Sequence, residues 1–458
     1  MQKKLILKIL VIAALILLLL VPLGMINGVI FERSGYRYQV EQDIANTWTG
    51  NQQIIGPVLS IPYEIRYEEK LWDKEREKYE IKEKTRWQTT HFIPQDLAIA
   101  ADVATEKRSR GIYSVPVYTG HFTIDGEFSS QSLEKFRKEV RGFIKWGKPR
   151  FSLAIQDVRG IGANPKLLWD GESVSFDPGS SFPNLAEGIH ATLPAPQADG
   201  QLRFALELEL RGSRSLQIAP TSKDAATVLS SSWPHPKFNG RFLPVEREVT
   251  PEGFEARWQT SSFSTSVEQH LKACLAGDCS SLRVTSFGVQ FIETVDIYQK
   301  ITRATKYGIL FILLTFVAFF LTETLITTPL HPVQYVLVGF VLCIFYLLLL
   351  SLSEHVGFAV AYGIATASCA LLIGIYLTGV LGKATQGFGY AAGITLLYAM
   401  LFAILRSEDF ALLMGTLLLF TMLAAVMLMT RRVNWYEIGE KIETRLPGQG
   451  MRERTETS

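Results

Sequence analysis

Between residues 307 and 429 the chain is almost wholly apolar, and its few charged or turn-forming residues cut it into five lengths: 307–326, 333–352, 358–380, 388–405 and 410–429. A helix needs about 20 apolar residues to cross the hydrocarbon core of a bilayer, and each length is close to that. The interruptions are short, so consecutive helices must run antiparallel. Buried helices of a water-soluble protein would carry polar faces at a 3.6-residue period, and these lengths have none. The stretch reads as a transmembrane bundle, and the lipid bilayer is the first partner the chain requires.

A second apolar run opens the chain. Lys3, Lys4 and Lys8 precede an unbroken stretch from Ile9 to Met25. A cleaved signal peptide has an apolar region of about 7–15 residues ending in a small-x-small site. Here the run is longer and Pro22-Leu23-Gly24-Met25-Ile26-Asn27 supplies no such site. The expectation is an uncleaved anchor over residues 1–31. Lysines ahead of it place the N-terminus in the cytoplasm. Six crossings, one N-terminal and five C-terminal, then return both termini to the cytoplasm, with Lys383, Arg431, Arg432, Lys441 and Arg445 on that side. Arg303 and Lys306 count against this threading, but they follow a long translocated segment, and such segments cross largely regardless of charge. The expected division is an anchor (1–31), an extracytoplasmic domain (32–302), the bundle (303–432) and a cytoplasmic tail (433–458), in a multi-pass protein of a bacterial inner membrane.

Residues 32–302 differ in composition, with Gly and Pro turns every dozen or so positions. Leu202, Phe204, Leu206, Leu208 and Leu210 alternate with Arg203, Glu207, Glu209 and Arg211, the period of two of a half-buried strand. Phe151, Leu153 and Ile155 repeat it. Thr250-Pro251-Glu252-Gly253 separates 242–249 from 254–260 as a hairpin would. A large, mainly antiparallel β domain is expected, built as a sandwich or two packed sheets. Residues 64–86 are dense in both signs of charge yet keep a strand period through Tyr63, Ile65, Tyr67, Tyr79 and Ile81, which predicts a long hairpin. Residues 132–146 place Leu133, Phe136, Val140, Phe143 and Ile144 on one face at helical spacing, which predicts a basic amphipathic helix packed on the sheet.

Chemistry is sparse. A net charge of +2 leaves no nucleic-acid footprint. His91, His121, His190, His235 and His270 are scattered singly, without metal-ligand spacing. Gly160-Ile161-Gly162 opens like a dinucleotide loop, but Pro165 stands where the third glycine belongs, so a turn explains it. No catalytic constellation, metal site or cofactor motif is expected, and a non-enzymatic protein follows. Cys343 and Cys369 fall inside membrane lengths as small apolar fillers. Cys274 and Cys279 flank a polar loop and are open to a disulfide in an oxidising compartment, to free thiols, or to a metal pair for which no further ligand stands near. Glu323 is the charged residue inside a membrane length. Its nearness to Pro329 places it at interface depth, ionised and reached by water.

The wording of the chain carries more than its chemistry. Glu32-Arg33-Ser34-Gly35-Tyr36-Arg37, Gly56-Pro57-Val58-Leu59-Ser60-Ile61-Pro62, Asp157-Val158-Arg159-Gly160-Ile161-Gly162, Trp233-Pro234-His235-Pro236, Arg303-Ala304-Thr305-Lys306-Tyr307, Leu330-His331-Pro332-Val333-Gln334-Tyr335 and Ser353-Glu354-His355 occur in that order. In these stretches the chain resembles the CreD family of bacterial inner-membrane proteins, called cell envelope integrity proteins. The resemblance implies a role in envelope homeostasis and stress response, and no catalytic residue, substrate or cofactor. The expected function is binding of an envelope protein or polymer through the extracytoplasmic domain. A transporter or lipid-handling protein using the bundle as a pathway is the second reading, and a periplasmic hydrolase the third.

Overall fold

The computed structural model describes residues 3–73, 78–182, 184–194, 202–293, 297–326, 330–407 and 410–431. The expected cytoplasmic tail, the cations Arg432, Lys441 and Arg445, and the interruption at Thr327-Thr328-Pro329 lie outside the described residues. The chain divides into two compact units, residues 1–37 with 295–458, and residues 38–294. Helix α1 (Lys3–Trp48) contributes to both. It continues past the end of its apolar run at Phe31, because residues 32–48 hold no proline and only Gly35 as a weak helix former.

The second unit is two β-sheets. The first contains β1 (Gln52–Asp73), β2 (Lys78–Phe92), β5 (Phe143–Trp146), β6 (Arg150–Ile155), β9 (Asp177–Pro178), β10 (Gly188–Thr192), β12 (Ser215–Pro220), β14 (Pro236–Gly240) and β17 (Phe287–Phe291). Its order is β14-β17-β12-β1-β6-β10-β9, with β2 and β5 also paired to β1. The second sheet contains β3 (Asp96–Arg110), β4 (Tyr113–Phe128), β7 (Lys166–Trp169), β8 (Glu172–Val174), β11 (Leu202–Ser213), β13 (Asp224–Ser231), β15 (Glu246–Thr250) and β16 (Gly253–Ser261). Its order is β15-β16-β13-β3-β4-β11-β7-β8. Pairing is antiparallel except at β1–β12 and β3–β13, so the mainly antiparallel β domain expected from alternation is what the chain forms.

Both sheets turn apolar side chains into one core. Leu59, Ile61, Phe151, Leu216 and Ile218 come from the first sheet, and Ile99, Phe122, Leu206, Leu208 and Trp258 from the second. Each such side chain contributes about 1.5–3 kcal/mol on leaving water. β11 buries alternate residues, as its period of two requires. β1 differs: from Ile54 to Ile61 nearly every residue is buried, because this strand is covered on both faces. The second face carries Ile55 and Val58 into a smaller cluster with Ala154, Ala219, Val267, Leu271, Cys274 and Leu282. Past that point β1 and β2 pair with each other from Leu59↔Phe92 to Asp73↔Lys78, which makes the charged stretch a hairpin.

Residues 132–146 do not form one helix. Helix α2 (Ser130–Glu139) starts at the Ser129 cap, whose hydroxyl accepts from the Ser132 N–H, and ends at Val140. The chain then turns through Gly142 at a positive φ of 73° and enters β5. A side chain at Gly142 would collide with the Arg66 carbonyl, so the close approach of this turn to β1 excludes a continued helix. Phe136, Phe143 and Trp146 all pack around Tyr63, at 5.2, 6.5 and 6.1 Å between ring centres. The apolar spacing marked Leu133 as buried and Phe136, Val140 and Phe143 as partly so, but Ile144 is exposed and the secondary structure differs.

The first unit contains residues 3–37 of α1 with α6 (Ile297–Lys306), α7 (Gly308–Ile326), α8 (Pro332–Ser353), α9 (Phe358–Leu381), α10 (Ala384–Arg406) and α11 (Ala411–Thr430). Five apolar C-terminal helices (α7 to α11) and the N-terminal one are therefore present, as the five lengths and the first run required. α8 begins with Pro332 at a position where no N–H is needed, behind His331, whose N–H donates to Gln334 Oε1 at 3.0 Å. α1 buries Leu19, Leu23, Ile26 and Ile30, one stripe at spacings of three and four. The interior of the bundle is aromatic: Tyr398 stacks on Phe345 at 4.0 Å and on Phe311 at 5.7 Å. Leu372, Ile375, Phe388 and Leu417 are exposed on the protein and face the lipid. Of the glycines in α9 and α10, Gly374 and Gly387 bring the two backbones together, whereas Gly363 and Gly379 have nothing near them.

Candidate functional site

Glu323 is not alone at its end of the bundle. Its carboxylate forms an ion pair with Lys8 of α1 and accepts from the Tyr335 hydroxyl at 3.3 Å. Tyr390 of α10 donates to Thr322 beside it. Its side chain is only 13% exposed, so the protein, rather than water alone, supplies its partners. A cation and a hydroxyl from other helices satisfy a charge that would otherwise be costly at such a depth.

The opposite end of the same unit gathers three stretches that are far apart in sequence. Glu354 of the Ser353-Glu354-His355 stretch accepts from Tyr298 Oη at 2.9 Å and lies 4.0 Å from Arg33. Arg37 sits over the Tyr298 ring at 6.0 Å. Thr305 donates to Asn27 of α1 at 2.7 Å. Arg33 and Arg37 after the first crossing, Tyr298 at the start of α6 and Glu354 between α8 and α9 therefore form one polar cluster, and Thr305 makes a separate tie from α6 to α1.

In the β unit, residues 38–48 of α1 are held by arginines from β3, from the turn between β11 and β12 and from the Asp157–Gly162 stretch. Arg214 pairs with Glu41 at 3.1 Å and Arg110 with Asp43 at 3.8 Å. Arg108 lies 4.3 Å over the Trp48 ring. Arg159 donates to the Asn46 carbonyl at 3.0 Å, where a cation complements the negative end of a helix dipole. Asp157 orients Arg159 through a 2.6 Å contact and also accepts from the Gly50 N–H. That hydrogen bond from Arg159 holds the Asp157 carboxyl below its ordinary range. Gln52 completes the turn, donating to the carbonyls of Asp157 and Arg211. The Asp157 to Gly162 stretch is thus a helix-end clamp, in accord with the turn its glycines suggested.

Cys274 and Cys279 are joined in a disulfide. It ties the end of α4 (Val267–Leu275), which follows the short α3 (Ser262–Thr265), to the start of α5 (Ser280–Val284). Asn184 donates to the Cys274 carbonyl at 2.9 Å. α4 forms one wall of a cleft of about 380 Å³. The other walls are the end of β2 with Thr89, Thr90 and His91, the start of α2 with Ser129 and Ser132, and Lys223. His91 Nδ1 lies 2.8 Å from Ser60 Oγ, and burial lowers its pKa below the usual imidazole value. Ser60 and His91 are direct cross-strand partners, so the register of the β1–β2 hairpin accounts for the pair, and Ser60 is only 5% exposed. Among the described residues no group of three His, Cys, Asp or Glu side chains converges as a metal site would.

The sequence named Glu323, Cys274 and Cys279. The fold joins the cysteines to each other and gives Glu323 the partners Lys8 and Tyr335, in the other unit. It adds Gln52, Arg159, Tyr298 and Glu354 as organising polar residues. Arg159 and Glu354 fall in the signature stretches, whereas Gln52 and Tyr298 lie outside them and left no signal, since no spacing rule links residues so distant. The cleft residues left no sequence signal, because they arrive from four separate segments.

The architecture defines a class: a multi-pass membrane protein whose first and second crossings are separated by a large two-sheet β domain. The family model described as "Inner membrane protein CreD" matches residues 4–436. Inner membrane protein CreD of Escherichia coli (strain K12) is 36% identical over 429 residues, covering 92% of this chain and 91% of that protein. The chain belongs to the CreD family of inner membrane proteins.

Proposed function

We propose that the protein is a non-enzymatic component of cell envelope integrity and stress response, whose β domain faces the periplasm and binds an envelope component or partner protein. The observation that carries this reading is the interior of the bundle. It is packed by stacked rings, Phe311, Phe345 and Tyr398 among them, where a pathway would need polar groups around a cavity. Glu323 is tied to Lys8 near one end, and there it serves as a clip between α1 and α7. Lysines ahead of the first crossing support export of the β domain, and so does the Cys274–Cys279 bond, which belongs in an oxidising compartment.

The test compares two variants in cells. Replacing residues 49–293 by a flexible linker is expected to abolish envelope tolerance while the helices still insert. Glu323→Gln is expected to leave tolerance near wild type, since the amide keeps an acceptor for Tyr335 and for Lys8, whose side chain is 26% exposed and reaches water. A phosphatase reporter fused after Gly200 should be active and one after Lys383 silent. If Glu323→Gln is stable but inactive while the linker variant works, the bundle is a pathway and this reading fails.

A further inference from the structure

We propose that the cleft between the end of β2, the start of α2 and α4 binds an anionic amphiphile: a molecule with one phosphate or carboxylate head and a short apolar portion. This names a ligand class for the binding module proposed above, and rests on that reading for its place in function. Donors dominate the polar lining. Lys223 and Lys272 both face the cleft, and among the described residues neither has a carboxylate partner within ion-pair distance. Thr89, Thr90, Ser129 and Ser132 line the same space. Ser129 and Ser132 stand at the first turn of the ten-residue α2, whose N-terminal dipole favours negative charge. Glu268 is the one carboxylate lining the cleft. It lies four residues before Lys272 on α4, so it offsets part of one positive charge and leaves the balance cationic.

Apart from His91, whose Nδ1 is engaged with Ser60, the rest of the lining is apolar. Phe92, Ile93, Leu271 and Leu275 line the cleft with those donors, and Leu271 is anchored in the cluster that backs the first sheet. A bare anion would use the lysines and leave this surface in water; an alkyl chain would do the reverse. Only a ligand carrying both parts satisfies both. The volume of about 380 Å³ falls in the range of small-molecule sites, enough for a head with a short chain or for one end of a longer molecule. A lipid and a soluble phosphate ester share this head chemistry, and the chain is what separates them.

The experiment uses the full-length protein in phosphatidylcholine nanodiscs and three probes, octyl phosphate, inorganic phosphate and octanol, titrated calorimetrically. Octyl phosphate is expected to bind at one site at least about tenfold more tightly than either of the others, the scale of one hydrogen bond to a charged group. The double variant Lys223→Glu, Lys272→Glu should weaken it by at least the same factor. Thr89→Trp, which fills the cleft from an exposed position without altering charge, should do likewise while the melting temperature stays unchanged. Equal binding of inorganic phosphate would overturn the amphiphile in favour of a simple anion. Equal binding of octanol, or octyl phosphate binding untouched by both variants, would show partition into the bilayer and overturn the site. Loss of the site in vitro leaves the linker experiment in cells as the separate judge of the binding-module reading.

Discussion

The β unit and the helical unit bury similar side chains for different reasons. In the β unit Leu206, Phe122 and Trp258 leave water on folding, and the transfer itself supplies the driving force. In the helical unit Phe345 and Tyr398 leave a lipid environment nearly as apolar as the interior they enter, so association depends on close packing and on hydrogen bonds between helices. The polar residues reflect this. Ion pairs of the β unit such as Arg203–Glu127 and Arg257–Glu255 lie at its surface, whereas Lys8–Glu323 and Arg33–Glu354 of the helical unit sit at the bundle ends and join different helices. A core tolerates loss of volume poorly; a bundle tolerates gain of volume at its contacts poorly.

The strongest way to break this contrast is a cavity in the β core. Trp258 is 1% exposed, stacks on Phe287 at 5.3 Å and donates to the Phe242 carbonyl. Trp258→Ala is expected to destabilise the β unit by about 3–5 kcal/mol, read as hydrogen exchange across β13 and β16 rising toward that of the unfolded chain. Unchanged protection there would refute the assigned core.

Next in size is an overpacking change in the bundle. Gly387 lies against Thr378 and the Gly374 carbonyl, so Gly387→Val should force α9 and α10 apart at a cost of about 1–3 kcal/mol. The readout is a lower melting temperature of the detergent-solubilised protein. Gly379→Val, at a position with nothing within 4 Å, is the control and should melt like wild type; equal losses from both would remove the close α9–α10 contact.

The smallest effect is one of pH, and it belongs to the β unit. Burial lowers the His91 pKa below its usual 6.5, so the unfolded chain takes up a proton more readily than the folded one. The stability His91 contributes is complete above about 6.5 and is lost as pH falls from there toward its folded value. Denaturant midpoints should therefore drop on mild acidification, and His91→Gln should flatten that part of the profile. A profile identical in both proteins would show that His91 keeps its ordinary pKa.

Local periodicity determined a good deal of this protein. The five apolar lengths, the alternation in β11, the hairpin of residues 64–86 and the turn at Gly160 were all legible, because each depends on neighbours within a few residues and on a period set by backbone geometry. Where a period was shared by two outcomes it misled: residues 132–146 carry apolar side chains at helical spacing, yet Ile144 is exposed, and the approach of Gly142 to Arg66 favours a turn and a strand. The remaining features are long-range. The parallel joints β1–β12 and β3–β13, the pairing of Lys8 with Glu323 and the meeting of Arg33, Tyr298 and Glu354 each join residues separated by most of a unit. So does the assembly of the cleft from four segments. Such contacts leave no period in the chain, since their partners are chosen by which surfaces the sheets and helices bring together, and that choice is made only when the whole unit has folded.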